Sequence, residues 1–291
     1  MTARPRAVVL GGRTGLLGQS LVLALRNGGW DAVPVGRDDV DVLDAERLAD
    51  FIDKASPQTV FNTVAWTQVD LAEEHEQEAA QLNRALPASL GRIVRGTGMH
   101  LVHLSTDFVF NGRKTTPYTT DDTPDPASVY GATKLAGETA LLSIAPDNCC
   151  VVRTAWLFGP GRRNFVQTIL GLCAAKDDIQ VVHDQTGSPT YTVDLAAGCV
   201  RLAELRATGL FHVVNAGQAS WCELASEAVH LAGLHCKVHA ITSKDWPQKA
   251  ARPAYSVLDT SRFTEVTGIV PRPWPQALRD YIYKDCIPSG N

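Results

Sequence analysis

Ala7-Val8-Val9-Leu10-Gly11-Gly12-Arg13-Thr14-Gly15-Leu16-Leu17-Gly18 is the stretch on which the fold turns. Four apolar residues in a row read as a strand buried on both faces. Glycines then follow at 12, 15 and 18, and an amphipathic helical run begins at Leu16. Without side chains at those positions the backbone can approach a pyrophosphate closely, and the helix N-terminus faces its charge. A tight turn alone would also explain three glycines. Their place between an apolar strand and a helix makes a dinucleotide site the stronger reading.

Outward from this turn the first half alternates strands and helices. Strands are expected at 7–10, 30–35, 59–65, 100–106 and 149–156. Helices are expected at 16–26 (stopped by Gly28-Gly29), 45–54 with Asp44 as N-cap, 74–95 with a break near Pro87, and 130–143. Such alternation implies a Rossmann-type, doubly wound parallel sheet whose ligands sit beyond the strand C-termini. The second half is less regular, with helices at 165–175, 193–206, 223–231 and 275–284. It reads as a smaller C-terminal substrate-binding lobe. The expected division is a cofactor-binding domain over 1–155, rejoined by about 190–218, with 156–291 mainly the substrate-binding lobe.

The bulk composition is that of an ordinary globular protein: 45% hydrophobic and 20% charged residues over 291 positions. A net charge of −4 without a basic stretch argues against nucleic acid as the main partner. Seven cysteines, with no Cys-x-x-Cys pair, read as reduced thiols in a cytoplasmic protein. No signal-like segment or membrane-length apolar run is visible, so no membrane partner is expected.

The cofactor follows from charge. A site selective for NAD usually ends the second strand with an acidic residue on the ribose 2′-hydroxyl. Here that strand ends in Gly36-Arg37, and Arg13 lies inside the glycine turn. Two guanidiniums suit a 2′-phosphate, which favours NADPH over NADH. Asp38 and Asp39 temper that preference, NADH stays open, and solvated surface arginines are the plainer reading.

Tyr130-Gly131-Ala132-Thr133-Lys134 places a phenol and an ammonium one helical turn apart on one face. A nearby ammonium favours phenolate and is expected to lower the tyrosine pKa into a useful range. Alone such a pair is a common accident. Thr106, in Leu104-Ser105-Thr106-Asp107-Phe108-Val109-Phe110 at the end of the fourth strand, supplies a hydroxyl that can share a substrate carbonyl with Tyr130. The glycine turn, strand-end hydroxyl and Tyr/Lys pair, in that order, resemble the extended short-chain dehydrogenase/reductase superfamily.

Longer segments resemble the dTDP-4-dehydrorhamnose reductase family over nearly the whole chain. They are residues 62–73 (Asn-Thr-Val-Ala-Trp-Thr-Gln-Val-Asp-Leu-Ala-Glu), Ser105–Phe110, Val129–Glu138, Arg153-Thr154-Ala155-Trp156, Asn164-Phe165, residues 184–190 (Asp-Gln-Thr-Gly-Ser-Pro-Thr) and Arg252-Pro253. The resemblance implies Tyr130 as proton donor, Lys134 as its partner, and Thr106 orienting the carbonyl. It places Thr106 and Asp107 on the sugar, Trp156 as a wall, and Asn164, Gln185 and Arg252 toward the nucleotide diphosphate. Gly15, Leu16 and Leu17 would hold the cofactor pyrophosphate beside Gly12 and Gly18, Asp41 and Val42 the adenine, and Ala65, Trp66 and Thr67 the inner face. The implied reaction is hydride transfer to C4 of a dTDP-4-keto-6-deoxyhexose. For several of these residues a plainer role stands beside the implied one: Asp41 as a loop residue, Trp156 as a core aromatic, and Asn164, Gln185 and Arg252 as loop supports.

Two departures stand out. Trp66 occupies a position where the family often has Tyr or His. Ser20 falls where some members carry a helix glutamate that bridges a dimer through Mg²⁺, so that bridge is not expected; a homodimer is otherwise left open. A 4,6-dehydratase needs a second proton-moving residue after Asp107, and Phe108 is no such group. An epimerase is harder to separate. The rival from another class is a non-catalytic NADP-binding subunit resembling the regulatory subunit of methionine adenosyltransferase. His235 and His239 read as positions on a half-exposed strand rather than zinc ligands. Glu73 to Glu76 read as a solvated helix start, with Asp70 and Glu73 able to face the pocket.

Overall fold

The computed structural model describes residues 4–246 and 248–286. Strands run over β1 (Arg6–Leu10), β2 (Asp31–Val35), β3 (Thr59–Asn62), β4 (His100–Thr106), β5 (Cys149–Thr154), β6 (Asp178–Val182), β7 (Gly209–His212) and β8 (Lys237–Ile241). Six of them form one sheet in the order β7-β5-β4-β3-β1-β2, every pairing parallel. Helices cover both faces, so β3, β4 and β5 are buried along their whole length. The strand order reverses between β1 and β3, and a parallel sheet opens a crevice at such a switch point.

One core cluster lies between this sheet and the helices Leu16–Asn27 and Thr192–Glu204, with Leu21, Leu25, Phe61 and Leu202 fully buried. The other lies under the helices Ala45–Ala55, Leu86–Val94 and Val129–Ile144, around Leu48, Ile52, Leu90 and Leu141. Each such large side chain contributes roughly 1.5–3 kcal/mol by leaving water. β7, far along the chain, completes the sheet beside β5. The parallel pair β6 and β8 packs separately against the helices Phe165–Cys173 and Trp221–Leu231. His235 precedes β8, whereas His239 lies within it.

The structure corrects four boundaries. β3 ends at Asn62 rather than 65, because the Asn62 side chain accepts the Val64 N–H at 3.1 Å and turns the chain out of the sheet. β5 ends at Thr154 rather than 156, since Trp156 takes φ +50° and redirects the backbone. The helix expected from 74 begins at Glu76 and runs to Val94 with a π turn at Gln81–Ala85. Pro87 lies just past the break. It has no N–H to offer the Asn83 carbonyl, and the ring disfavours a regular α turn before it. The strand expected from 30 begins at Asp31.

Candidate active site

The glycine turn is closed on itself. A Cβ on Gly18 would lie 2.2 Å from the Gly11 carbonyl oxygen, and one on Gly15 would lie 2.6 Å from the same atom. Gly12 is equally confined, 2.8 Å from the Val9 oxygen. Gly12 and Gly18 thus serve packing behind the turn, while Gly15, Leu16 and Leu17 line a cavity of about 1090 Å³. Thr14 and the arginines Arg162 and Arg163 line the same end.

Arg37, Asp41 and Val42 reach this cavity beyond β2. Arg13 does not. Its guanidinium pairs with Asp39, whose other oxygen accepts the Gly36 N–H at 2.7 Å. Only one of the two expected guanidiniums therefore faces the cavity. Ala65 and Thr67 line it, whereas the Trp66 indole donates to the Gln68 carbonyl at 3.1 Å and lies against His75.

Thr106, Asp107, Tyr130 and Lys134 meet at the centre of the cavity. Thr106 caps the short turn that follows β4, accepting the Phe108 N–H at 3.2 Å, and donates to Asp107 at 3.1 Å. Ser128 caps the helix that carries Tyr130 and Lys134. The Tyr130 ring packs edge-on against Phe108. Lys134 is 2% exposed and donates to the Leu104 carbonyl at 2.6 Å. Burial lowers its pKa to about 8, and Glu138 one turn on pulls the other way.

The phenol does not follow the expectation drawn from the sequence. Burial pushes Tyr130 up to about 12, with Thr106 lowering it and Asp107 raising it. The ammonium is turned to a carbonyl, and removal of the phenol from water outweighs any pull toward phenolate. Tyr130 is a neutral acid at neutral pH, the form needed to give up a proton. Asp107 is 2% exposed and accepts from Ser256 Oγ at 2.6 Å. Burial raises it to about 6, against the lowering by Ser256 and Thr106.

Trp156 walls the far end. Its ring stacks on Trp221 with centroids 3.6 Å apart and planes within 5°. Gly187 lies on the ring, where a Cβ would come 2.5 Å from Cε2. Its φ of +50° is strained for a tryptophan, and this packing sets the conformation. A second cavity of about 370 Å³ adjoins the first and shares Phe108, Trp156, Trp221 and Arg252. Gln185 and Ser256 line it.

Asn164 lines neither cavity. It caps the helix Phe165–Cys173 and donates to the Gly159 and Arg162 carbonyls and to the Tyr281 hydroxyl. Ser20 is buried and hydrogen-bonded to Thr192 at 2.8 Å. The acidic run at 73–76 is more than a solvated helix start: Glu73 accepts the Val129 N–H at 2.9 Å, and Glu74 pairs with Lys249.

Several side chains at or beside the site escaped the sequence reading, among them Thr14, Arg162 and Arg163 on the cavity wall, and Trp221, Ser256 and Asn83. Trp221 opens the helix Trp221–Leu231, and Ser256 lies in a loop; neither carries a motif. Asn83 occupies the π turn, fully buried. It accepts the Trp66 N–H at 2.9 Å and donates to the Trp66 carbonyl and to Thr133 Oγ1. It joins the loop at Trp66 to the helix of Tyr130 and Lys134. Pro87 four residues later was its only signal.

A parallel sheet with a glycine turn after β1, a hydroxyl at the end of β4 and a Tyr/Lys pair over it defines an extended short-chain dehydrogenase/reductase. The family model described as RmlD substrate binding domain matches residues 6–286. The chain belongs to the dTDP-4-dehydrorhamnose reductase family. It is 39% identical to the dTDP-4-dehydrorhamnose reductase of Streptomyces griseus, covering 99% of this chain and 96% of that one. It is 38% identical to a dTDP-4-keto-6-deoxy-D-glucose reductase of Streptomyces niveus, over 92% and 93% of the two chains. The crystal structure of the Bacillus anthracis dTDP-4-dehydrorhamnose reductase in complex with NADP superposes with a TM-score of 0.93 at 29% identity, covering 97% and 100%.

Proposed function

We propose that the protein is a dTDP-4-dehydrorhamnose reductase, which reduces the C4 ketone of a dTDP-4-keto-6-deoxyhexose with NADPH, the most direct product being dTDP-L-rhamnose. The observation that carries this reading is the meeting of Thr106, Tyr130 and Lys134 in one cavity with the glycine turn. The cofactor is assigned to the closed turn at Gly15–Leu17, with Arg37 toward the 2′-phosphate, Asp41 and Val42 toward the adenine, and Ala65 and Thr67 toward the nicotinamide side. The reduced nicotinamide supplies the hydride. Residues 1–155 with 190–218 form the cofactor-binding part, and the remainder mainly the substrate part.

Thr106 and Tyr130 hold the ketone oxygen between two hydroxyls, which orients the carbonyl and stabilises negative charge on it. The Tyr130 phenol, neutral in its half-buried setting, gives its proton to the oxygen as the alkoxide forms. Lys134 holds the helix against β4 through the Leu104 carbonyl, and by turning from that carbonyl its ammonium can meet the phenolate left behind. Trp156 and Trp221 exclude water from one side of the sugar.

The test follows NADPH oxidation with freshly generated dTDP-4-keto-rhamnose. Wild type should turn over, and Tyr130→Phe should lose about 10²–10⁴-fold in kcat while still binding NADPH. NADPH binding without oxidation of any keto-sugar would move the reading to a non-catalytic binding subunit. A product epimerised at unchanged oxidation level, with no net NADPH consumption, would mark an epimerase.

A further inference from the structure

Asp70 sits in the short helix Val69–Ala72, directly after the loop that carries Ala65 and Thr67 on the cavity wall. Its carboxylate reaches across to a loop 179 to 182 residues away. Oδ1 accepts the N–H groups of Lys249 and Ala250 at 3.1 and 3.0 Å. The Arg252 guanidinium grips the carboxylate end-on, Nη1 to Oδ1 at 3.0 Å and Nη2 to Oδ2 at 2.8 Å. Those four bonds, Arg252 foremost, bring the Asp70 pKa down to about 2. Beside it Lys249 pairs with Glu74 of the same cofactor-side segment.

An arginine has five N–H bonds in one plane. Two of those on Arg252 go to Asp70, and Nη1 gives another to the Ala250 carbonyl at 3.2 Å. The remaining two, on Nε and Nη2, lie side by side along one edge of the plane. No acceptor among the described residues takes them. Arg252 lines both cavities, as do Phe108, Trp156 and Trp221. A free side-on pair of donors in that place matches two oxygens of a phosphate. Without the end-on grip the long side chain would be free to turn its head toward bulk water.

We infer that Asp70 is a positioning residue: by taking one face of the Arg252 guanidinium it presents the other to a diphosphate at the junction of the cavities. The inference rests on the reading of Arg252 as a contact to the substrate's nucleotide diphosphate. Because Asp70 and the cavity-lining Ala65, Thr67 and Val69 share one segment, the same grip ties the substrate loop to the cofactor loop.

The experiment measures binding of dTDP, and of inorganic pyrophosphate as a probe without a base, by calorimetry with the cofactor site saturated by NADP⁺. Wild type, Asp70→Asn, Arg252→Ala and the double variant are compared, along with their KM and kcat for the keto-sugar. Asparagine keeps an oxygen for the two backbone N–H groups and removes the charged fork. Asp70→Asn is expected to weaken both probes by about tenfold, to raise KM more than it lowers kcat, and to keep NADPH affinity, which also shows that the variant is folded. The double variant should bind no more weakly than Arg252→Ala alone. Unchanged or tighter binding by Asp70→Asn, or a full further loss in the double variant, overturns the inference. A wild type that binds neither probe overturns it as well. Loss of pyrophosphate binding in Asp70→Asn, from a wild type that reduces no keto-sugar, supports the inference and sinks the proposed function. A wild type that does reduce it, with Asp70→Asn unaffected, does the reverse.

Discussion

Asp107 and Tyr130 show how far a neighbour's effect is set by burial. Both lie against Thr106, and removal from water shifts both pKa values upward, toward the protonated form. For Asp107 this has a consequence for stability. Its folded pKa is about 6 against an ordinary value of 3.8, so between those values the folded state binds more protons than the unfolded chain. Its contribution is complete below about pH 4 and is lost as pH rises through about 6. Comparing wild type with Asp107→Asn by urea unfolding across pH 4 to 7 should reveal a difference that grows by about 1–3 kcal/mol over that window. A constant difference would mean that Asp107 titrates normally. The Ser256 hydroxyl, which lowers the pKa, limits the effect.

Among the elements, the helix Val129–Ile144 is held from three sides. Glu73 caps it at Val129, and Asn83 binds Thr133. On the inner side Glu138 forms a buried pair with Arg153 of β5, both side chains 3% exposed. Gly137 lies directly on the Asn83 carbonyl that Pro87 leaves without its helical partner, where a Cβ would be 1.9 Å away. The π turn is therefore a fitted joint between the Tyr130 helix and the loop at Trp66. Asn83→Ala should lower unfolding free energy by about 2–3 kcal/mol, since it strands the Trp66 N–H and two further partners. Chemical denaturation with an unchanged slope would measure this. A loss below about 0.5 kcal/mol would show that water replaces the amide.

At the scale of the whole molecule, cofactor binding should register as stability. A ligand at a hundredfold excess over its Kd adds about 2.7 kcal/mol, roughly 4–5 °C in Tm for a chain of this size. NADPH should raise Tm more than NADH at equal concentration, and Arg37→Ala should remove the difference. Equal shifts in the wild type would show that Arg37 does not read the 2′-phosphate. Arg13→Ala should leave the difference intact, because its guanidinium belongs to Asp39.

Local pattern alone determined the parallel sheet, the glycine turn and the Thr106, Tyr130 and Lys134 set. A buried strand is apolar throughout, a glycine turn needs its glycines, and two residues four apart on a helix share a face. Charge at the end of β2 pointed to Arg37, and the family resemblance pointed to Trp156 and Arg252; all three line the cavities. Only the tertiary structure turned Arg13 to Asp39, Trp66 toward Gln68 and Asn164 to its capping role. It alone raised the Tyr130 pKa where the motif suggested lowering, joined Asp70 to Arg252, and brought Trp221 and Ser256 to the site. Those outcomes depend on partners far away in the chain and on how much water each group loses, and neither is written in the residues beside it.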